Sequence, residues 1–178
     1  AEFRLATFTR RTDFFGAAFT QANFFGATFT QDADFSRAAF TQANFFGATF
    51  TERADFSGAK FTGYANFSGA KFTGYTDFSG AKFTKASFSR VEFTEYAGFS
   101  GAEFTGITIF SEATFRSKPI FTLGNKARFS HKAKPEDYKF EVSHNSPYKI
   151  ETEEQEHNGV KFIIPKGTEL FDPDDPSS

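Results

Sequence analysis

A phenylalanine recurs every five or six residues from Phe3 to Phe121 without a missed step. Twenty-three phenylalanines keep this register, and in eighteen cases the residue two places earlier is Ala. An α-helix cannot carry such a rhythm. An apolar period of five matches neither 3.6 nor 3.5, and Gly recurs throughout the segment. The chain has 30 Phe in 178 residues and no Trp, Met or Cys, so one aromatic is being reused in equivalent places. Internal repetition is therefore the first property to explain.

The positions of the six-residue steps reveal the geometry. Counted in cycles of four from Phe3, the second centres are Phe8, Phe29, Phe50, Phe72, Phe93 and Phe115, and each is followed by a six. Among the fourth centres, Phe61 and Phe104 are followed by a six; the first and third centres never are. An insertion confined to one phase in four means that the chain returns to the same place every fourth unit. The pattern predicts an all-β coil with four sides, 20 to 22 residues per turn, and about six turns by Phe121. First and third centres mostly continue into Gly (Gly16, Gly26, Gly47, Gly58, Gly69, Gly80 and Gly101), which predicts tight turns at those corners. Second and fourth centres continue into Thr, and their corners should tolerate an extra residue as a bulge does.

Each short side points two residues inward, so a large centre needs a small residue two places before it on the same face. Successive turns pair backbone to backbone at about 4.8 Å, which places each Phe over the Phe of the next turn. Burying one is worth roughly 1.5–3 kcal/mol. The units AEFRL, ANFFG, ATFTQ, ADFSG, AKFTG and ANFSG resemble the pentapeptide-repeat family, in which Ala, then Asp or Asn, precedes a central Leu or Phe. The resemblance covers residues 1–121 and extends towards Phe129 through ARFSH. It implies a right-handed quadrilateral β-helix over residues 1–130. The near-exclusive use of Phe and the regular insertions depart from the family pattern and leave the turn types at the inserted corners open.

Stacking turns this periodicity into surface ladders. Asp13, Asp34, Asp55 and Asp77 precede third centres, and Asn23, Asn44 and Asn66 precede first ones. Four carboxylates in one column repel unless each accepts backbone N–H groups at a bulged corner, as Asx turns do; a cation or partner site is the alternative. The inserted corner residues align as Arg11, Asp32, Arg53, Tyr75, Tyr96 and Lys118, an exposed ladder of opposite charges and aromatics. Phe15, Phe25 and Phe46 are out of register and should point outward, Phe25 and Phe46 in one column and Phe15 on the opposite side. Phe25, Phe46, Tyr75 and Tyr96 are thus the candidate interaction surface for a protein partner. Local turn packing of the phenylalanines, or a contact with sequence upstream of this segment, is an equal reading. The residues Ala1, Glu2 and Phe3 already form a unit in register. This predicts either preceding coils or a cap, or end-to-end self-association through the first coil.

Beyond Phe121 the rhythm fails. Residues 131–178 are read as a separate C-terminal extension: a charged connector over 132–137, then four strands at 138–143, 148–156, 160–165 and 168–171. The expectation is a small β-meander docked on the last coil, covering its open edge, followed by a frayed acidic terminus from Asp172 to Ser178.

Sequence chemistry narrows the function. There is no phosphate-binding Gly loop, nucleophile elbow, zinc-ligand spacing or calcium loop, and no cofactor or metal is expected. His131, His144 and His157 are read as surface or turn residues. With no signal peptide and no apolar run of transmembrane length, nothing in this segment points to a membrane, and the cytoplasm is favoured. The leading reading is a non-enzymatic scaffold or protein-interaction module. The alternative, which the family resemblance raises, is a DNA-mimicking modulator of gyrase. Mimicry needs a rod dense in negative charge, yet residues 1–129 carry 14 Lys or Arg against 11 Asp or Glu, with the acidity in the tail. That balance disfavours mimicry, and no nucleic-acid partner is expected. A catalytic site between tail and coil is the third reading and has no motif behind it.

Overall fold

The computed structural model describes residues 1–175 and 177. Short strands recur on each turn and pair in parallel with their equivalents one turn away. A six-stranded sheet runs through Thr7–Phe8, Thr28–Phe29, Thr49–Phe50, Lys71–Phe72, Glu92–Phe93 and Thr114–Phe115, with Phe8 opposite Phe29 and Phe29 opposite Phe50. A five-stranded sheet joins the strands that precede third centres, from Thr12–Asp13 to Ala97–Gly98. A nine-stranded sheet holds the longer segments Ala18–Asn23, Ala39–Asn44, Lys60–Asn66 and Lys82–Ser87, which continue past the fourth corner. The result is an all-β solenoid of about six turns. Its only helical element among the described residues is a 3₁₀ turn at Pro135–Asp137.

Four phenylalanine columns fill the interior, consistent with a four-sided outline. Phe8, Phe29, Phe50 and Phe72 form one column, with ring centroids 4.6, 4.6 and 4.7 Å apart and planes within 4° of parallel. The strand spacing sets that separation, so each ring lies over the next because its backbone does. Rings of different columns meet edge to face, as in Phe35 and Phe45 at 5.4 Å and 85°, the geometry that aromatic quadrupoles favour. Phe129 closes the fourth column over Phe104 at 4.9 Å. The Ala positions beside the centres are buried from Ala22 onward. Where Thr replaces Ala, at Thr12, Thr76 and Thr108, the hydroxyl donates to the carbonyl two residues earlier, at 3.2, 3.2 and 3.0 Å. Among the described residues, every buried side-chain N or O has a hydrogen-bond partner.

The tight corners follow first and third centres. In the turn after Phe14, the Ala17 N–H donates to the Phe14 carbonyl at 3.0 Å, and Gly16 has φ +63°. A positive φ at the third residue alone is the signature of a type II turn. The extra residue expected at some fourth corners also forms the bulge predicted for it. The register between Lys60–Asn66 and Lys82–Ser87 shifts between Phe83 and Lys85, opposite the inserted Gly63.

The tail differs from the expected meander. Among the described residues, Thr152–His157 and Val160–Pro165 are the two tail strands that pair antiparallel with each other, joined through Asn158 and Gly159, whose φ values of +49° and +79° fit a two-residue hairpin turn. The other two strands add to the nine-stranded sheet instead: Tyr138–Lys139 pairs in parallel with Thr108–Ile109, and Glu169–Phe171 with Arg128–Ser130. The physical reason is the open edge. Unpaired N–H and C=O groups on the last coil offer a template that a short alternating strand satisfies better than an isolated sheet of its own. Phe140 continues the first column over Phe110 at 5.9 Å. Of the terminus expected to fray, Pro176 and Ser178 lie outside the described residues. Asp172 and Asp174 both bridge to the Lys132 ammonium, and their hydrogen bonds raise its pKa.

Candidate interaction surface

Each corner column of the solenoid presents one side chain per turn, so two aromatics at equivalent corner positions are forced into contact. Phe25 and Phe46 follow successive first centres, and their rings stack at 5.5 Å and 5°. The Arg4 guanidinium, one turn earlier in the same column, lies 5.0 Å from the Phe25 ring centroid. Phe46 is 41% exposed, while Phe25, between Arg4 and Phe46, is half-buried. Phe15 occupies the other tight corner, with Arg37 at 5.8 Å from its ring.

Tyr75 and Tyr96 make a second pair at the inserted corner, stacked at 4.5 Å and 6°. Burial, then the proximity of Tyr75 and Asp77, pushes the Tyr96 phenol up to about 12, so it stays neutral at ordinary pH. Arg53 caps this pair, 5.9 Å from the Tyr75 ring. Its guanidinium turns to Asp55 of its own turn, at 2.7 Å. The expected attraction to Asp32 along the column is not made by side chains. Asp32 instead accepts the Arg53 backbone N–H at 3.3 Å. The four candidate residues therefore form two separate stacked pairs, on different corners and different turns.

The carboxylate column is held by the backbone. Asp13, Asp34, Asp55 and Asp77 accept the N–H two residues on, from Phe15, Ser36, Ser57 and Ser79, at 2.8 to 2.9 Å. The corner involved is the tight turn, not the bulged one. Asn23, Asn44 and Asn66 do the same for Phe25, Phe46 and Ser68 at 3.0 to 3.2 Å. Among the described residues no group of three His, Cys, Asp or Glu is placed to hold a metal ion, and no helix is long and apolar enough to cross a membrane.

Two features escaped the sequence. His131 and His157 stack at 3.7 Å and 10°, a contact made only when the hairpin docks. Glu103 receives Lys82 at 3.0 Å and Arg128 at 2.7 Å, linking three turns of one sheet. The register of charged positions on that sheet was the signal available for it.

Comparison with known proteins adds one finding. The model of pentapeptide repeats in nine copies matches residues 24–71 and again 67–114. No curated protein and no solved structure matches the chain.

Proposed function

The chain belongs to the pentapeptide-repeat family, a fold suited to structural or interaction roles, and from that premise we propose a non-enzymatic module that docks a protein partner on its corner aromatics. The Phe25–Phe46 pair carries this reading. Two rings stand stacked and part-exposed beside a guanidinium, on a corner that continues into the small side chains Ser68 and Ser89. Aromatic and Arg side chains are the ones that dominate binding energy at protein interfaces. Tyr75 and Tyr96, capped by Arg53, offer a second such spot. A second copy stacked end to end is a further partner on this reading, because Phe3, Phe8, Phe14 and Phe19 of the first turn are only partly buried.

The test compares partner capture by the wild-type chain, by Phe25→Ser with Phe46→Ser, and by Phe15→Ser. Capture lost only in the double variant, with an unchanged circular dichroism spectrum, supports the docking role. Capture unchanged in all three removes Phe25 and Phe46 from it. Inhibition of gyrase supercoiling at micromolar protein would replace the reading with the DNA-mimic one. Light scattering across a concentration series tests end-to-end association.

A further inference from the structure

The coil that ends the first column leaves hydrogen-bonding capacity unused. In each lower turn the chain alternates. The Phe88 and Arg90 amides, for example, donate upward to the carbonyls of Ile109 and Ser111. One turn higher, the Phe110 and Glu112 amides donate to the carbonyls of Lys139 and Glu141. The same alternation turns the Phe140 and Val142 amides away from the stack, and among the described residues neither has a backbone acceptor. This edge borders a cleft of about 820 Å³ between the last coil and the tail hairpin. Phe140, Ile150 and Ile163 give the cleft apolar surface, and Lys139, Lys149 and Lys161 bring three ammonium groups to it against the one carboxylate of Glu141; the Lys149 ammonium also donates to the Ser143 and His144 carbonyls.

We propose that this edge receives an extended segment of another polypeptide, with acidic and apolar residues alternating, as an added β-strand. Backbone groups of the guest meet the Phe140 and Val142 amides, the main-chain component of strand addition. Alternate side chains of a strand point to opposite faces. One set then continues the column above Phe140, as Phe140 continues it above Phe110. The other set stacks outward above Lys139, as Lys139 stacks on Ile109, and there a carboxylate is the complementary charge. Among the described residues Lys161 makes one ion pair, with Glu154, in which both side chains are more than half exposed, so it can exchange partners. The site is separate from the corner aromatics, and its failure would leave that docking role standing.

The probe is a fluorescein-labelled, N-acetylated and C-amidated octapeptide of alternating glutamate and valine, titrated against the full chain. The expected result is saturable anisotropy together with slowed exchange of the Phe140 and Val142 amide protons. Affinity should fall roughly tenfold in Lys139→Glu with Lys161→Glu, the scale of two partly exposed ion pairs. A peptide with lysine in place of glutamate should not bind. Absence of saturable binding at millimolar peptide, equal binding of the lysine peptide, or binding without protection of those two amides each overturns the proposal. So does displacement of the peptide by dodecanoate that itself leaves the amides unprotected, which would assign the cleft to carboxylate amphiphiles.

Discussion

Every tight turn asks one residue to adopt a left-handed backbone, and Leu5, Arg37, Arg90 and Glu112 do so with φ between 55° and 60° where other turns use Gly. A Cβ there costs about 1–2 kcal/mol. Gly69 isolates the effect, since it has φ +68° and nothing within 4 Å of an added Cβ. Gly69→Ala should destabilise by about 1 kcal/mol and Arg90→Gly should stabilise by about as much. Gly63 answers to a different constraint: a Cβ on it would lie 2.1 Å from the Thr41 carbonyl oxygen of the preceding turn. Gly63→Ala should therefore cost more than Gly69→Ala, roughly 2–3 kcal/mol. Urea midpoints of the three variants check this, and the reverse ranking of Gly63 and Gly69 would contradict it. The turn glycines were legible because they recur after Phe. The close approach at Gly63 was not, because it depends on a carbonyl 22 residues away in the chain.

At the scale of strands, the period of the centres announced the sheets, since a face repeated every fourth unit can only stack on itself. Alternation in Tyr138, Phe140 and Val142 likewise announced a strand, but alternation is blind to the partner. An open coil edge nearby captured that strand in place of a meander. The nine-stranded sheet also carries the clearest electrostatic link between turns. Burial pushes the Glu103 carboxyl up, but hydrogen bonds from Arg128 and Lys82 outweigh it and hold the pKa below the ordinary 4.5. A carboxylate with a depressed folded pKa contributes stability above its unfolded pKa, and loses it as pH falls through the folded value. Wild type should therefore exceed Glu103→Gln in stability near neutrality. The gap should close as pH drops below 4.5. A gap independent of pH in thermal melts would mean that the carboxylate charge plays no part.

Over the whole molecule, the tail completes the stack by a few specific anchors. The buried Ser146 hydroxyl accepts the Phe115 N–H at 2.8 Å and donates to the Tyr148 carbonyl at 2.6 Å. Ser146→Ala leaves a buried amide without its acceptor, at a cost of about 1–3 kcal/mol. Hydrogen exchange should accelerate at Phe115 and Tyr148 while Phe50 stays protected, and equal acceleration at all three would show that the tail does not unfold apart from the stack. The anchor on Phe115 was not visible in sequence, because it joins the tail to a turn 31 residues earlier. The central claim, that the chain returns to the same place every four units, rests on the lateral register of Thr28 with Thr49. With no native Cys in the chain, a disulfide between Thr28→Cys and Thr49→Cys reads that register directly. The account predicts rapid cross-linking of this pair under mild oxidation and none between Thr28→Cys and Asn44→Cys, the partner that a three-unit turn would supply; the opposite result would contradict it.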